Sequence, residues 1–126
     1  MPEYTLYILI NKDLSMGKGK AVSQGGHAVH HIVHNILINH TKNPNDKIIE
    51  KYYQKYMNWT NSHSKIITLN VPLTDIQKLL KEMDESYPYE MIHDAGRTQV
   101  DPGSMTCLGF YPSDELTEIM RPFKLL

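Results

Sequence analysis

The chain has 126 residues, of which 40% are hydrophobic and 21% are charged, with a formal net charge of −1 and one cysteine. This length and balance predict a single globular domain over residues 1–126, and the lone cysteine excludes an internal disulfide framework. No apolar run is long enough to cross a membrane and the first residues lack a secretory-signal pattern, so we expect a cytoplasmic protein. Because the net charge is close to zero, a nucleic-acid ligand would require a local basic patch.

Strand-like and helix-like segments follow one another along the chain. Short β-branched or aromatic runs predict strands over residues 4–11, 65–71, 89–93 and 105–110. Helical periodicity predicts helices over residues 20–39, 46–59, 74–86 and 113–120, the third capped by Thr74. Helices between strands favour parallel neighbours, whereas the last two strands, joined by a loop, are expected to be antiparallel. The predicted fold is an α/β three-layer sandwich, with a four-stranded mixed sheet and helices on both faces.

The first predicted helix has an unusual polar side, formed by Lys20, Gln24, His27 and His31. Its opposite, apolar side is expected to contain Val22, Val29, Ile32, Val33 and Ile36. Residues 21–40 include no Asp, Glu, Lys or Arg, although a solvated helix face normally carries such charges. We therefore expect the polar side to be partly covered or to line a cleft.

Residues 16–20, Met-Gly-Lys-Gly-Lys, connect the first strand to this helix. Glycines let an anion approach the backbone, a helix N-terminus offers free N–H groups, and Lys18 and Lys20 add positive charge. The pattern predicts a phosphate or carboxylate site, and the alternative is a flexible turn with two solvated lysines. The segment is not a P-loop, because Lys20 is followed by Ala21 instead of Ser or Thr.

The loop after the third strand combines four chemically active side chains: Asp94, Arg97, Thr98 and Gln99. Loops at strand ends often carry catalytic groups. The alternative is an ordinary turn, in which Asp94 caps backbone amides and Arg97 is solvated. Composition does not decide between the two.

Two i, i+4 histidine pairs, His27/His31 and His30/His34, have a spacing that can bind zinc. No glutamate follows His27 directly, and no third ligand is evident on the helix, so we expect no metal. Cys107 lies in an apolar strand, which favours an inert packing role over a nucleophile.

Five segments, taken together, resemble the second-type peptidyl-tRNA hydrolases. They follow in order at the expected spacings: Asp13-Leu14-x-Met16-Gly17-Lys18-Gly19-Lys20, Gln24-x-x-His27-Ala28, Asp94-Ala95-Gly96-Arg97-Thr98-Gln99, Pro102-Gly103-Ser104-x-Thr106-x-Leu108-Gly109 and Lys124-Leu125-Leu126. Each segment alone is weak, but the combination is specific and spans nearly the whole chain.

The resemblance implies hydrolysis of the ester between a peptide and the 3′ ribose of tRNA, in a small α/β domain that often forms a homodimer. We expect peptidyl-tRNA as the partner, and no cofactor or metal. The family's catalytic set falls on Lys20, Asp94 and Thr98, and further matched positions are Gln24, His27 and Thr106. We also expect substrate contacts from Lys18, Arg97 and Gln99, the two cations binding phosphates.

Ester hydrolysis needs an activated water and a stabilised oxyanion. In this interpretation Asp94 orients or deprotonates water, directly or through Thr98, and Lys20 stabilises the oxyanion or holds Asp94 ionised. His27 positions the 3′ ribose or exchanges a proton with it. Two alternatives stay open: a non-catalytic RNA-binding or protein-adaptor module on the same fold, and an esterase of small phosphorylated metabolites.

Overall fold

Strands and helices alternate along most of the chain in the computed structural model, which describes residues 3–83, 87–94 and 103–126. The strands are β1 (Thr5–Asn11), β2 (Lys65–Val71), β3 (Tyr89–His93), β4 (Met105–Phe110) and β5 (Lys124–Leu125). The helices are α1 (Lys18–Lys42), α2 (Lys47–Asn61), α3 (Leu73–Glu82) and α4 (Thr117–Met120). None of the helices in these described ranges is long and apolar enough to span a membrane.

The strands form one mixed sheet in the order β3-β4-β1-β2-β5. Strands β1 and β2 are parallel, whereas β4 is antiparallel to both β1 and β3, and β5 is antiparallel to β2. The predicted mixed sheet and the antiparallel β3–β4 pair are confirmed, but the predicted count of four strands was wrong. Strand β5 has only two residues, both exposed, so it lacks the alternating apolar pattern that identifies a strand.

Helices pack against both faces of this sheet. On one face Ile8 of β1 packs with Ile32 of α1 and Trp59 of α2. On the other face Leu9 of β1 packs with Ile76 of α3, together with residues of α4. Because successive side chains of a strand point to opposite faces, a strand between two helical layers is buried along its whole length, as β1 is.

Helix α1 packs against the sheet with a face that only partly matches the predicted apolar side, on which Ile32 and Ile36 are buried as predicted. Val22, predicted to be apolar-facing, is 73% exposed, whereas Gln24, Gly25 and Ala28 are buried. The reason is close packing of small residues: a Cβ added to Gly109 of β4 would lie 3.3 Å from the Cβ of Ala28. Small side chains let the helix and the strand approach, and this approach outweighs the burial of a valine.

Aspartate side chains accept hydrogen bonds from backbone N–H groups at the N-termini of α2 and α3. The Asp46 carboxylate caps α2: it accepts hydrogen bonds from two backbone N–H groups in the first turn, at 2.9 and 3.1 Å. The predicted cap of α3 at Thr74 was wrong, because α3 begins at Leu73 after Pro72. Instead, Asp13 Oδ2 accepts a hydrogen bond from Leu73 N at 3.2 Å. This bond ties the loop between β1 and α1 to the start of α3.

Candidate active site

The candidate site lies at the sheet edge where β1 and β3 end. Both strands run antiparallel to β4, which lies between them, so their carboxyl ends meet at the same edge. Asp94 follows β3 directly, and Lys20 lies in the first turn of α1, which a short connection joins to β1. The topology therefore brings together two residues that are 74 positions apart in the sequence.

Lys20 and Asp94 form a buried ion pair, in which Lys20 Nζ donates a hydrogen bond to Asp94 Oδ1. The side chains are 9% and 2% exposed, respectively. Removing two charges from water is costly, and breaking such a pair by deleting one partner typically costs about 3–5 kcal/mol. The same dry surroundings strengthen the effect of both charges on a substrate group placed beside them.

The backbone of Asp94 is held by the two residues that precede β4. Asp94 N donates a hydrogen bond to Ser104 O at 2.8 Å, and Gly103 N donates one to Asp94 O at 3.0 Å. Gly103 has a φ of 83°, a conformation that glycine adopts without the strain a side chain would introduce. These two bonds fix the carboxylate opposite Lys20. Lys20 is thus not a solvated turn residue, whereas Lys18 is exposed.

A β-bulge in β4 directs the side chain of Thr106 towards helix α1. Ile92 of β3 pairs with Cys107, whereas the next residue of β3 pairs with Met105, so Thr106 is the extra residue of the bulge. Thr106 Oγ1 donates a hydrogen bond to Gln24 Oε1 at 2.7 Å and lies 3.2 Å from Ile92 O. Cys107 Sγ is 3.4 Å from Gln24 O. In a regular strand these two neighbours would face opposite sides of the sheet, but here both contact Gln24.

Asn11, the last residue of β1, is a buried site residue that the sequence reasoning missed. Its Nδ2 donates a hydrogen bond to Met105 O at 2.9 Å, and its Oδ1 accepts one from Asp13 N at 3.0 Å. It thereby links the start of β4 to the loop that leads into α1. An amide that ends an otherwise apolar strand was the available indication, because a buried amide needs partners.

Of the remaining predicted site residues, the structure describes some and not others. His27, like Lys18, is exposed, so the polar side of α1 is covered at Lys20 and Gln24 but open beyond them. Three further predicted residues lie outside the described part of the chain: Arg97, Thr98 and Gln99. Their roles stay predictions.

The buried Cys107 is not suited to act as a nucleophile. Cys107 is fully buried, and burial raises the pKa of its thiol to about 12, so the reactive thiolate is scarce at neutral pH. Within residues 3–83, 87–94 and 103–126, no group of three or more His, Cys, Asp or Glu side chains is arranged to hold a metal ion.

Comparison with known proteins adds to this geometry. The family model described as peptidyl-tRNA hydrolase PTH2 matches residues 4–126. A peptidyl-tRNA hydrolase of Methanocaldococcus jannaschii is 34% identical over 125 residues, which cover 96% of this chain and 98% of the relative. One of Sulfolobus acidocaldarius is 33% identical over 123 residues, covering 94% and 97%. These matches confirm the resemblance and give no support to a non-catalytic module. The chain belongs to the peptidyl-tRNA hydrolase PTH2 family.

Proposed function

We propose that this chain hydrolyses the ester between a peptide and the 3′ ribose of tRNA, and that Lys20 and Asp94 carry the reaction. The activity is that of the family to which the chain belongs. The observation that supports the residue assignment is the buried Lys20–Asp94 ion pair at the edge where β1 and β3 end. Buried charge next to an open polar helix face is the arrangement expected of a site that acts on a polar ester.

In the proposed reaction a water oxygen attacks the ester carbonyl and an oxyanion forms. The bond between the carbonyl carbon and the ribose oxygen then breaks, and the ribose oxygen takes up the proton that the water gave up, relayed by Asp94 or His27. Asp94 orients the water or accepts its proton, directly or through Thr98. Lys20 stabilises the oxyanion, or holds the carboxylate ionised. Charges that are already in place before the reaction need no reorganisation in the transition state, which makes them effective.

Gln24 and His27 are proposed to position the substrate, and Thr106, which is fully buried, acts through Gln24. The hydroxyl of Thr106 donates to the carboxamide oxygen of Gln24, and this bond orients the amide one turn along α1 from Lys20. His27 is exposed about one further turn along the same side, where it can reach the 3′ ribose. Lys18, which is also exposed, and Arg97, with Gln99 beside it, are proposed to contact the tRNA.

The assembly and location proposed for the protein are a homodimer in the cytoplasm. Translation produces peptidyl-tRNA in the cytoplasm, and the family acts on this product. The dimer is proposed because the resemblance to the family implies one.

The test is release of free tRNA from an N-acetylated aminoacyl-tRNA. We expect release by the wild-type protein and a loss of at least about 100-fold in Asp94→Asn, the order of effect seen for a single catalytic group. Asp75→Asn, at an exposed acid in the first turn of α3, is the matched control and should retain full activity. A folded wild-type protein that binds tRNA but releases none would favour the RNA-binding alternative.

A further inference from the structure

The exposed side of α1 carries histidines that the proposed chemistry does not use. His30, His31 and His34, which we call the histidine row, are all exposed. The ring centroid of His30 lies 5.6 Å from that of His31 and 5.9 Å from that of His34. The three imidazoles therefore form one continuous patch on the helix surface.

Helix α1 places this patch on the same side as Lys20, further along the helix. At 100° per residue, Lys20, His27 and the histidine row fall within one third of the helix circumference. At 1.5 Å per residue, Lys20 and His34 are about 21 Å apart along the axis. The row therefore leads away from the active site along one side of the helix.

Helix α1 itself carries no acidic side chain near the row. All 25 residues of α1 lack Asp and Glu. On β3, Glu90 accepts a hydrogen bond from Asn35, and on α2, Glu50 contacts His40, so both acids are engaged by other side chains of α1. The other titratable groups on elements that pack against α1 are His93 and Tyr89 of β3, Tyr7 of β1, Cys107 of β4 and, on α2, Lys47, Lys51, Tyr52, Tyr53, Lys55 and Tyr56.

We propose that the acceptor-stem backbone of the tRNA substrate lies along this side of α1, with its phosphates held by the protonated imidazoles of the histidine row. The inference rests on the proposed function, because it assumes that tRNA reaches Lys20 and Asp94. A protonated imidazole donates hydrogen bonds from both nitrogens, and a neighbouring phosphate favours the charged form. Protonated imidazoles in the row add positive charge to a chain whose formal net charge is −1. The row thus supplies the local basic patch that the overall composition lacks.

The contacts make tRNA affinity dependent on pH and salt. An imidazole carries positive charge only when it is protonated, so the row binds phosphate more tightly as the pH falls. Each phosphate contact contributes a slope of about −0.9 to the dependence of log affinity on log salt. Between 50 and 200 mM salt, two such contacts weaken binding by about tenfold beyond the loss caused by the rest of the interface.

The experiment compares the wild-type protein with the triple variant His30→Gln/His31→Gln/His34→Gln. Glutamine keeps a polar donor but cannot become charged, and all three positions are exposed, so the fold should be retained. His63→Gln, at an exposed histidine outside α1, is the matched control. Binding of fluorescently labelled deacylated tRNA is measured at pH 6.0 and 8.0, from 50 to 200 mM salt. A chelator removes trace metal, since imidazoles at i, i+4 can bind it.

At pH 6.0 we expect the wild-type affinity to fall about tenfold more over this salt range than that of the triple variant, as two phosphate contacts require. At pH 8.0 the difference between the two proteins should be smaller than at pH 6.0, because a lower proton concentration favours the neutral imidazole. Equal affinities and equal salt slopes at pH 6.0 would overturn the inference, and so would an equal loss in His63→Gln.

A parallel single-turnover assay separates this inference from the proposed function. With enzyme in saturating excess, the triple variant should cleave N-acetylated aminoacyl-tRNA at the wild-type rate, with a higher half-saturating enzyme concentration at pH 6.0. If the wild-type protein cleaves and the triple variant shows no change in half-saturation, only the histidine row is refuted. If the wild-type protein does not cleave, the proposed function itself is refuted.

Discussion

The bulged Thr106 provides a quantitative test of how the site is held. The substitution Thr106→Val retains the branched shape but removes the hydroxyl that donates to Gln24 Oε1 at 2.7 Å. Thr106 is fully buried and Gln24 is 8% exposed, so water cannot easily replace the lost donor. A buried acceptor left without a partner costs about 1–3 kcal/mol. For a chain of this size, that loss should lower the melting temperature by about 4–12 °C.

Urea denaturation of Thr106→Val, Gln24→Met and the double variant measures the interaction directly. We expect the double variant to be less destabilised than the sum of the two single variants, with a coupling of at least about 1 kcal/mol, because neither polar partner is then left unsatisfied. Thr106→Val should also slow cleavage of peptidyl-tRNA, since Gln24 loses its orientation. A wild-type free energy of unfolding in Thr106→Val, or a coupling near zero, would refute the role assigned to the bulge.

Two further predictions concern packing and pH. A Cβ on Gly109 would lie 2.9 Å from Ile32 Cδ1, so Gly109→Ala should lower the free energy of unfolding by about 1–3 kcal/mol in urea denaturation. Gly26→Ala, in open space on α1, should raise it by about 0.5–1 kcal/mol, and equal effects would contradict the close packing. A hydrogen bond from Lys55 lowers the pKa of Asp114, so the stability gained from this pair is present above the unfolded-state pKa and is lost as the pH falls through the lower folded-state value. Asp114→Asn should therefore cost about 0.5–1 kcal/mol at pH 7 and progressively less as the pH falls through the folded-state pKa in denaturant titrations, and a cost that does not change with pH would refute this.

Much of the fold could be predicted because its longer strands have clear local patterns. The bounds of β2, β3 and β4 match the predicted strands, since β-branched and aromatic runs bounded by loops identify them. Strand β5 escaped prediction because it forms through tertiary contact: it pairs with β2, and Leu126 N donates a hydrogen bond to Thr68 O at 3.0 Å. The start of α3 was mispredicted for a similar reason, because its first backbone N–H donates to Asp13, which lies in a loop distant in sequence.

The site was predictable as a set of residues but not as a set of contacts. Lys20 and Asp94 were identified from motifs, whereas their contact depends on the strand order that brings β1 and β3 to one edge. The hydrogen bond between Gln24 and Thr106 depends on a register shift that no local pattern indicates. Asn11 was missed because one amide at a strand end resembles an ordinary boundary residue.

The most direct test of the central claim is a double-mutant cycle on the single-turnover cleavage rate of N-acetylated aminoacyl-tRNA, with Lys20→Met, Asp94→Asn and the double variant. If the ion pair acts as one catalytic unit, each single variant should lose at least about 100-fold and the double variant little more, because groups that act together are strongly non-additive. Circular dichroism and tRNA binding establish that the variants are folded. Near-wild-type cleavage by Asp94→Asn, or losses that multiply in the double variant, would contradict the account.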